Sequence, residues 1–332
     1  MRTLPILLFC LGLGCHLNAV AASCPDAPAP VRDIRANSYY SDAAGSIVDK
    51  ALHETYERNI GPIVEFHRKV LVMADDYVAK QDRETGLCVV SWLRSWASNG
   101  ALLGEIVNER GYQANYIQKW TLSGLAMATY KVRDLLSPDD HKLLDPWLRA
   151  QAQRALDFWK NPEHKRNNHY DWTALAVMAT AVATRDEALW NTARTMYDEG
   201  LSHIAADGSL DMEMARAGMA LHYHNYALMP LATIAELSRS RGENWYLRND
   251  GALLRLASLV ADGLLDPTWF AQKTGKTQKV PGEGNLSWTV WMADMPLRNA
   301  AKVKDLASRG PFLNSQMGGN PEMTRKSVKA EW

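Results

Sequence analysis

Arg216, Tyr223 and Tyr226 stand in one short run, residues 211 to 226, that otherwise has the composition of a buried helix. Arginine and tyrosine seven residues apart are nearly two turns apart at about 3.6 residues per turn, so both would share one face. Tyr226 would fall beside them. His222 and His224 flank Tyr223 and, two residues apart, would point to different faces. A second polar cluster runs from Lys165 to Trp172. Within it, Asn168 and His169 fall where a helix is expected to begin, since asparagine is a favoured cap and an apolar run starts at Thr173. They would sit at the positive end of that helix, where free N–H groups suit an anion.

Asparagine, histidine, arginine and tyrosine together narrow the chemistry. Hydrolysis of a sugar linkage needs two carboxylates, and Asp211 and Glu213 lie only at the edge of the cluster. A zinc site built on His169, His222 and His224 is disfavoured, because the last two diverge and no metalloprotease motif is present. No serine or cysteine stands in a nucleophile turn. Elimination from a uronic acid fits better. Its reacting proton lies beside a carboxylate, and arginine and asparagine would neutralise or hydrogen-bond that group and stabilise the dianion formed. Tyrosine or histidine removes the proton, and tyrosine returns one to the departing oxygen. A phenol serves as base only if nearby positive charge lowers its pKa, which is the role open to Arg216.

These groups need a scaffold, and the chain of 332 residues reads as helical almost throughout from Ile60. Expected helices include Pro62–Lys80, Gly86–Leu103, Tyr112–Leu136, one capped at Ser137 with Pro138 in its first turn, His169–Thr184, Asp186–Ala206, Ala215–Arg241 and Asn249–Leu264. No segment alternates convincingly as a strand. Helices of similar length joined by short turns imply an all-α array of antiparallel hairpins. The lack of a strict repeat favours a closed toroid over a regular solenoid.

Residues 1–22 have the basic start, short apolar core and small final residues of a secretory signal, leaving residues 23–332 as one domain. The apolar run is too short to span a membrane. Without Arg2 the chain carries 36 basic against 37 acidic side chains, so no global field draws it to nucleic acid or membrane. Cys24 and Cys88 remain after cleavage, and export suggests one disulfide rather than two buried thiols. The basic loop from residue 272 contains Gly275-Lys-Thr but lacks the first glycine of a phosphate loop and a preceding strand.

Asn167-Asn168-His169, Arg216 seven before Tyr223, and Tyr-His-Asn-Tyr-Ala-Leu at 223–228 closely resemble the alginate lyases of polysaccharide lyase family five. Asn37-Ser-Tyr-Tyr-Ser-Asp42, Gln118-Lys-Trp120 and Val177-Met-Ala-Thr180 extend the resemblance over most of the mature chain. The resemblance implies an incomplete α/α toroid with a deep cleft, a periplasmic location and β-elimination on poly-mannuronate with no metal or other cofactor. By position, Asn168 and Arg216 would bind the carboxylate, and Tyr223 would be base and acid in a syn elimination. His169 would help neutralise the carboxylate or serve as base for the other epimer. Tyr39 and Tyr40 match a mobile lid, spanning about residues 35–55, and Cys24–Cys88 matches a family disulfide. The expected partner is an anionic polysaccharide bound by a monomer.

The chain departs from many members in having Tyr170-Asp171 after the histidine and His222 in place of a small residue. A titratable His222 beside Tyr223 suggests a wider range, including glucuronate polymers. Trp172, three residues past His169, suits either stacking on a sugar or core packing. Trp92, Tyr116 and Gln118 are further cleft candidates, although helix aromatics are more often core. Trp120, Trp147, Trp159 and Trp190 are assigned to the core, and His224 and Tyr226 to supporting the reacting groups or contacting the sugar.

Overall fold

The computed structural model describes residues 24–42 and 47–332. The expected signal segment lies outside them, as does part of the lid. The ordered elements are β1 (Ile34–Asn37), α1 (Lys50–Lys80), α2 (Arg83–Ser98), β2 (Ile106–Arg110), α3 (Gln113–Lys131), α4 (Pro138–Phe158), α5 (Asn168–Thr184) and α6 (Glu187–Ser202). They continue with α7 (Asp211–Met214), α8 (Ala220–Ser238), α9 (Arg248–Leu265), α10 (Thr268–Thr274), α11 (Thr289–Met292), α12 (Ala300–Ala307) and α13 (Pro321–Ser327).

Local chemistry sets the ends of these helices. Ser137 caps α4 in a reciprocal box with Asp140, and Pro138 occupies the first turn, where its missing N–H costs nothing. Asp49, Asp82 and Asp186 each accept a backbone N–H at the start of α1, α2 and α6. Gln81 and Arg185, both at positive φ, end α1 and α5. Each pair is joined by two residues, which forces it into a hairpin.

Burial then sorts the helices into two layers. α5 is buried without interruption from Tyr170 to Thr184, and α8 from Ala227 to Ser238, so neither has a polar face. α2, α4, α6 and α9 bury one side only. α1, α3, α5 and α8 pack successively side by side, with α2, α4, α6 and α9 outside them. The result is an incomplete α/α toroid. Between α8 and α1 the gap is bridged by the C-terminal segment, whose turn Ser315–Met317 touches α1, α3 and α8. No helix among the described residues is long and apolar enough to cross a membrane.

Two expectations are corrected here. β1 and β2 form a parallel pair, with Ile34 opposite Ile106. Strands of four and five residues are too short to show alternation, and their partners are distant in sequence. The lid of residues 35–55 is not one loop either: it begins in β1, bridges Tyr40 to Val48, and ends in the first turns of α1. Cys24 and Cys88 are disulfide-bonded, with Cα atoms 5.3 Å apart. The arm after Cys24 is pinned on α2 by Trp92 Nε1 donating to Pro25 O (2.7 Å) and Trp96 Nε1 to Pro28 O (2.9 Å). Trp92 is therefore a core brace and not a cleft residue.

Candidate active site

Arg216 and Tyr223 meet, but not along one helix. The expected continuous helix from Ala215 breaks: Ala217 has φ +50°, Ala217–Met219 form a 3₁₀ turn, and α8 starts at Ala220. The loop at 276–279 seals the break. Gln278 Nε2 donates to Ala217 O (3.0 Å), its Oε1 accepts from Leu221 N (3.1 Å), and Lys279 N donates to Gly218 O (2.8 Å). A Cβ on Gly218 would lie 2.9 Å from Thr277 O, so only glycine allows this approach. The bend folds Arg216 back until its Cζ is 3.6 Å from the centroid of the Tyr223 ring.

His224 holds the other side of the bend. Its Nδ1 donates to Ala220 O (2.8 Å) and its Nε2 accepts from Leu210 N (2.9 Å), which ties α8 to the chain entering α7. Asn225, buried, donates to Asn285 O (3.1 Å) and accepts from Trp288 Nε1 (2.8 Å), bringing the loop of Asn285 to the cleft.

At the start of α5, Asn167 is the cap and accepts from His169 N (3.1 Å). Asn168 is almost wholly buried, and both its backbone N–H (3.0 Å) and Nδ2 (2.9 Å) donate to Glu213 Oε1. It lines a smaller cavity of about 260 Å³ with Asp171 and Glu213, not the main cleft. His169 does face the cleft. Its ring stacks on Tyr116 with centroids 3.7 Å apart, and its carbonyl accepts from the buried Lys119 Nζ (2.6 Å). Burial first, then the charges of Lys119 and Arg216, push the His169 pKa well below the usual range, so the imidazole is neutral. A neutral ring can accept a proton.

The cavity that holds His169, Arg216 and Tyr223, about 640 Å³, lies within the range typical of ligand clefts, roughly 300–1,000 Å³. It is lined by Tyr39, Tyr40 and Tyr56 from the N-terminal segment and α1, by Gln113, Trp120, His169, Arg216, His222, Tyr223 and Tyr226 from the middle of the chain, and by Asn285, Asn314 and Gln316 from the C-terminal part. None of these is a carboxylate, so the pair needed for glycoside hydrolysis is missing from the lining. Burial raises the Tyr223 pKa above its ordinary value, while Arg216 opposes the shift. Tyr40 stands beside Tyr223 in the cleft lining, and burial lifts the Tyr40 pKa to about 12. Tyr226 donates to Gln316 Oε1 (3.1 Å). Among the described residues no three His, Cys, Asp or Glu side chains are grouped as a metal ion would need.

Several expectations need revision. Trp172 is fully buried beneath Tyr226, ring centroids 5.0 Å apart, because α5 is enclosed on every side; it stacks on no sugar. Gln118 is also core, donating to Gln151 O (2.9 Å). Trp120, assigned to the core, instead lines the cleft with no partner for its Nε1. His222 reaches the cleft with Nδ1 unpartnered, but burial, Lys279 and Arg216 bring its pKa to about 4, so it is uncharged near neutrality. Tyr56, Gln113, Asn285, Asn314 and Gln316 were not anticipated. Tyr56 is one aromatic among many within α1, and the other four are polar residues in or beside turns, a signal that most surface loops share.

An incomplete helical toroid with a carboxylate-free cleft, where a guanidinium lies on a tyrosine beside a neutral histidine, has the frame of a toroid polysaccharide lyase. Comparison with known proteins agrees. A sequence model of the family described as alginate lyase matches residues 33–270. The chain is 42% identical over 301 residues to a polysaccharide lyase of Stenotrophomonas maltophilia (strain K279a), covering 90% of this chain and 89% of that protein. It is 30% identical over 314 residues to an alginate lyase of Azotobacter vinelandii, covering 90% and 83%. The crystal structure of alginate lyase A1-III from Sphingomonas species A1 superposes with a TM-score of 0.75 at 22% identity, covering 91% and 86%. A variant of A1-III complexed with tetrasaccharide gives 0.77 at 21% identity, covering 92% and 88%. The chain belongs to the alginate lyase family.

Proposed function

We propose that this protein is an exported, periplasmic lyase that cleaves 1,4-linked uronate polymers, poly-mannuronate first, by β-elimination without a metal ion. The observation that carries the proposal is Arg216 on Tyr223 in a cleft whose lining holds no carboxylate. A carboxylate substrate meets no like charge there, and the guanidinium supplies the positive charge needed as its α-proton leaves. Tyr223 takes the proton from C5 and returns it to the C4 oxygen, so the C4–O bond breaks and a C4=C5 double bond forms conjugated with the carboxylate. Arg216 favours the phenolate that begins this cycle. His169, neutral and stacked on Tyr116, donates its ring N–H to the substrate carboxylate or serves as the base for the opposite epimer. Asn168 acts from behind by fixing the helix start that carries His169. The N-terminal composition and the Cys24–Cys88 bond support export, since disulfides persist in oxidising compartments.

The test is ultraviolet detection of the unsaturated product on poly-mannuronate, with Tyr223→Phe as control. A binder without chemistry would bind the polymer and give no absorbance. A second reading, activity on poly-glucuronate or hyaluronan, is favoured by His222. Its unpartnered Nδ1 and aromatic face stand beside Tyr223, where the sugar carboxylate would be read.

A further inference from the structure

The side of the cleft that carries Asn314 and Gln316 comes from the C-terminal segment, beyond residues 33–270 matched by the family's sequence model. It belongs to no long helix. Residues 314–319 form a loop closed at its base by Asn314 N to Gly319 O (3.1 Å) and Gly319 N to Asn314 O (2.8 Å). Gln316, at its tip, accepts from Tyr226.

Beneath the loop is a buried ion pair. Lys131 Nζ, on α3, donates to Asp75 Oδ1, on α1, and also to Gly318 O (2.6 Å). Asp75 Oδ2 accepts from Asn320 N (2.8 Å). The Lys131 side chain is 0% exposed and that of Asp75 11%. Ser123 Oγ, also on α3, donates to Gln316 O (2.7 Å). Gly318 and Gly319 have φ of +85° and +98°. A Cβ on Gly318 would come within 2.7 Å of Met127 Cγ, and one on Gly319 would run into Asp75 Oδ2, so the loop is seated hard on the two helices.

Packing α1 on α3 does not call for this pair. Apolar residues of similar volume usually hold two helices at least as well, because both charges must leave water. Two apolar side chains could not bind the Gly318 carbonyl and the Asn320 N–H, which no regular structure satisfies. We infer that Lys131 and Asp75 are positioning residues for the lyase. Their pair clamps the Gly318–Asn320 turn, holding Gln316 against Tyr226 and closing the gap between α8 and α1 on that side of the cleft. Neither residue touches substrate. They act on binding through Gln316.

This inference rests on the lyase reading for its kinetic assay alone. The full-length protein carrying Lys131→Met with Asp75→Asn removes both charges at similar volume. Hydrogen exchange should then quicken at the amides of 316–320, while α5 keeps its protection. KM for poly-mannuronate should rise about tenfold, with kcat changed less than about twofold, because Gln316 binds and does not react. In a Gln316→Ala background the pair substitution should add less than about twofold to KM, the signature of a shared path. If the pair variant does not fold, Gly319→Ala reads the same clamp and should show the same exchange and KM changes. Unchanged exchange at 316–320 in a folded variant overturns the clamp. So does a KM effect fully additive with Gln316→Ala, or a loss of kcat that tracks the folded fraction. A wild-type protein silent on every uronate polymer defeats the lyase reading instead, and the exchange comparison still decides the clamp.

Discussion

The guanidinium of Arg216 lies over the ring of Tyr223 at 3.6 Å, although a backbone reversal at Ala217 separates them and only Tyr223 is helical. The phenol is held by the α8 helix and the cation by the segment before it, and Gln278 braces the two together. Their contact places positive charge against the group that must lose a proton. The consequences are measurable.

Replacing Tyr223 with Phe keeps the ring on Arg216 and removes the hydroxyl. Polymer binding should persist, whereas turnover should fall by about 10²–10⁴-fold, the usual weight of one general acid–base group. Equilibrium binding and product absorbance on the same sample check this. Full activity would rule out Tyr223 as the proton carrier.

Arg216→Ala should lower kcat/KM by about 10²–10³-fold, since the carboxylate then goes uncompensated in a water-poor site. Arg216→Lys should recover little, because an ammonium cannot lie flat on a ring and grip a carboxylate with two N–H groups. Near-complete rescue by lysine would mean that charge alone matters there.

The pH profile separates the two candidate bases. Burial raises the Tyr223 pKa, so its reactive phenolate is a minority at neutral pH and grows as pH rises. With Tyr223 as base, kcat/KM should climb about tenfold per pH unit from neutral into the alkaline range. The His169 pKa is depressed, so that ring is already neutral at pH 7 and gains nothing on further deprotonation. A plateau across pH 7–9 would assign the proton to His169.

His222 is uncharged near neutrality, so His222→Ala removes shape and hydrogen bonding, not charge. The ratio of rates on poly-mannuronate, poly-glucuronate and hyaluronan should shift by about tenfold, the scale of one or two lost contacts. Activity confined to poly-mannuronate in both proteins would sink the wider-range reading.

The Cys24–Cys88 bond closes a sequence separation of 64 residues and anchors the arm leading to Tyr39 and Tyr40. Cys24→Ser should cost about 2–5 kcal/mol of stability, mainly by freeing the unfolded chain. Thermal unfolding of wild type and variant, each with and without reductant, measures it. Equal midpoints in all four samples would show that the bond carries no stability.

The amino-acid sequence by itself determined the helical class and most helix starts, and it singled out His169, Arg216 and Tyr223 by residue type as groups able to do chemistry. Caps, apolar spacing and residue chemistry are local, and local properties are written in consecutive residues. Tertiary structure alone decided the rest. It put Trp120 on the cleft and Trp172 in the core, since two tryptophans three residues from a polar group look alike until their helices are packed. It turned Asn168 toward Glu213, broke the helix expected to join Arg216 to Tyr223, and made the imidazoles of His169 and His222 neutral, because desolvation depends on what surrounds a group in space. It also brought Asn285, Asn314 and Gln316 from the far end of the chain to close the cleft. Contacts of that range have no signature in neighbouring residues, because closing so long a loop is settled by the whole core and not by any one segment.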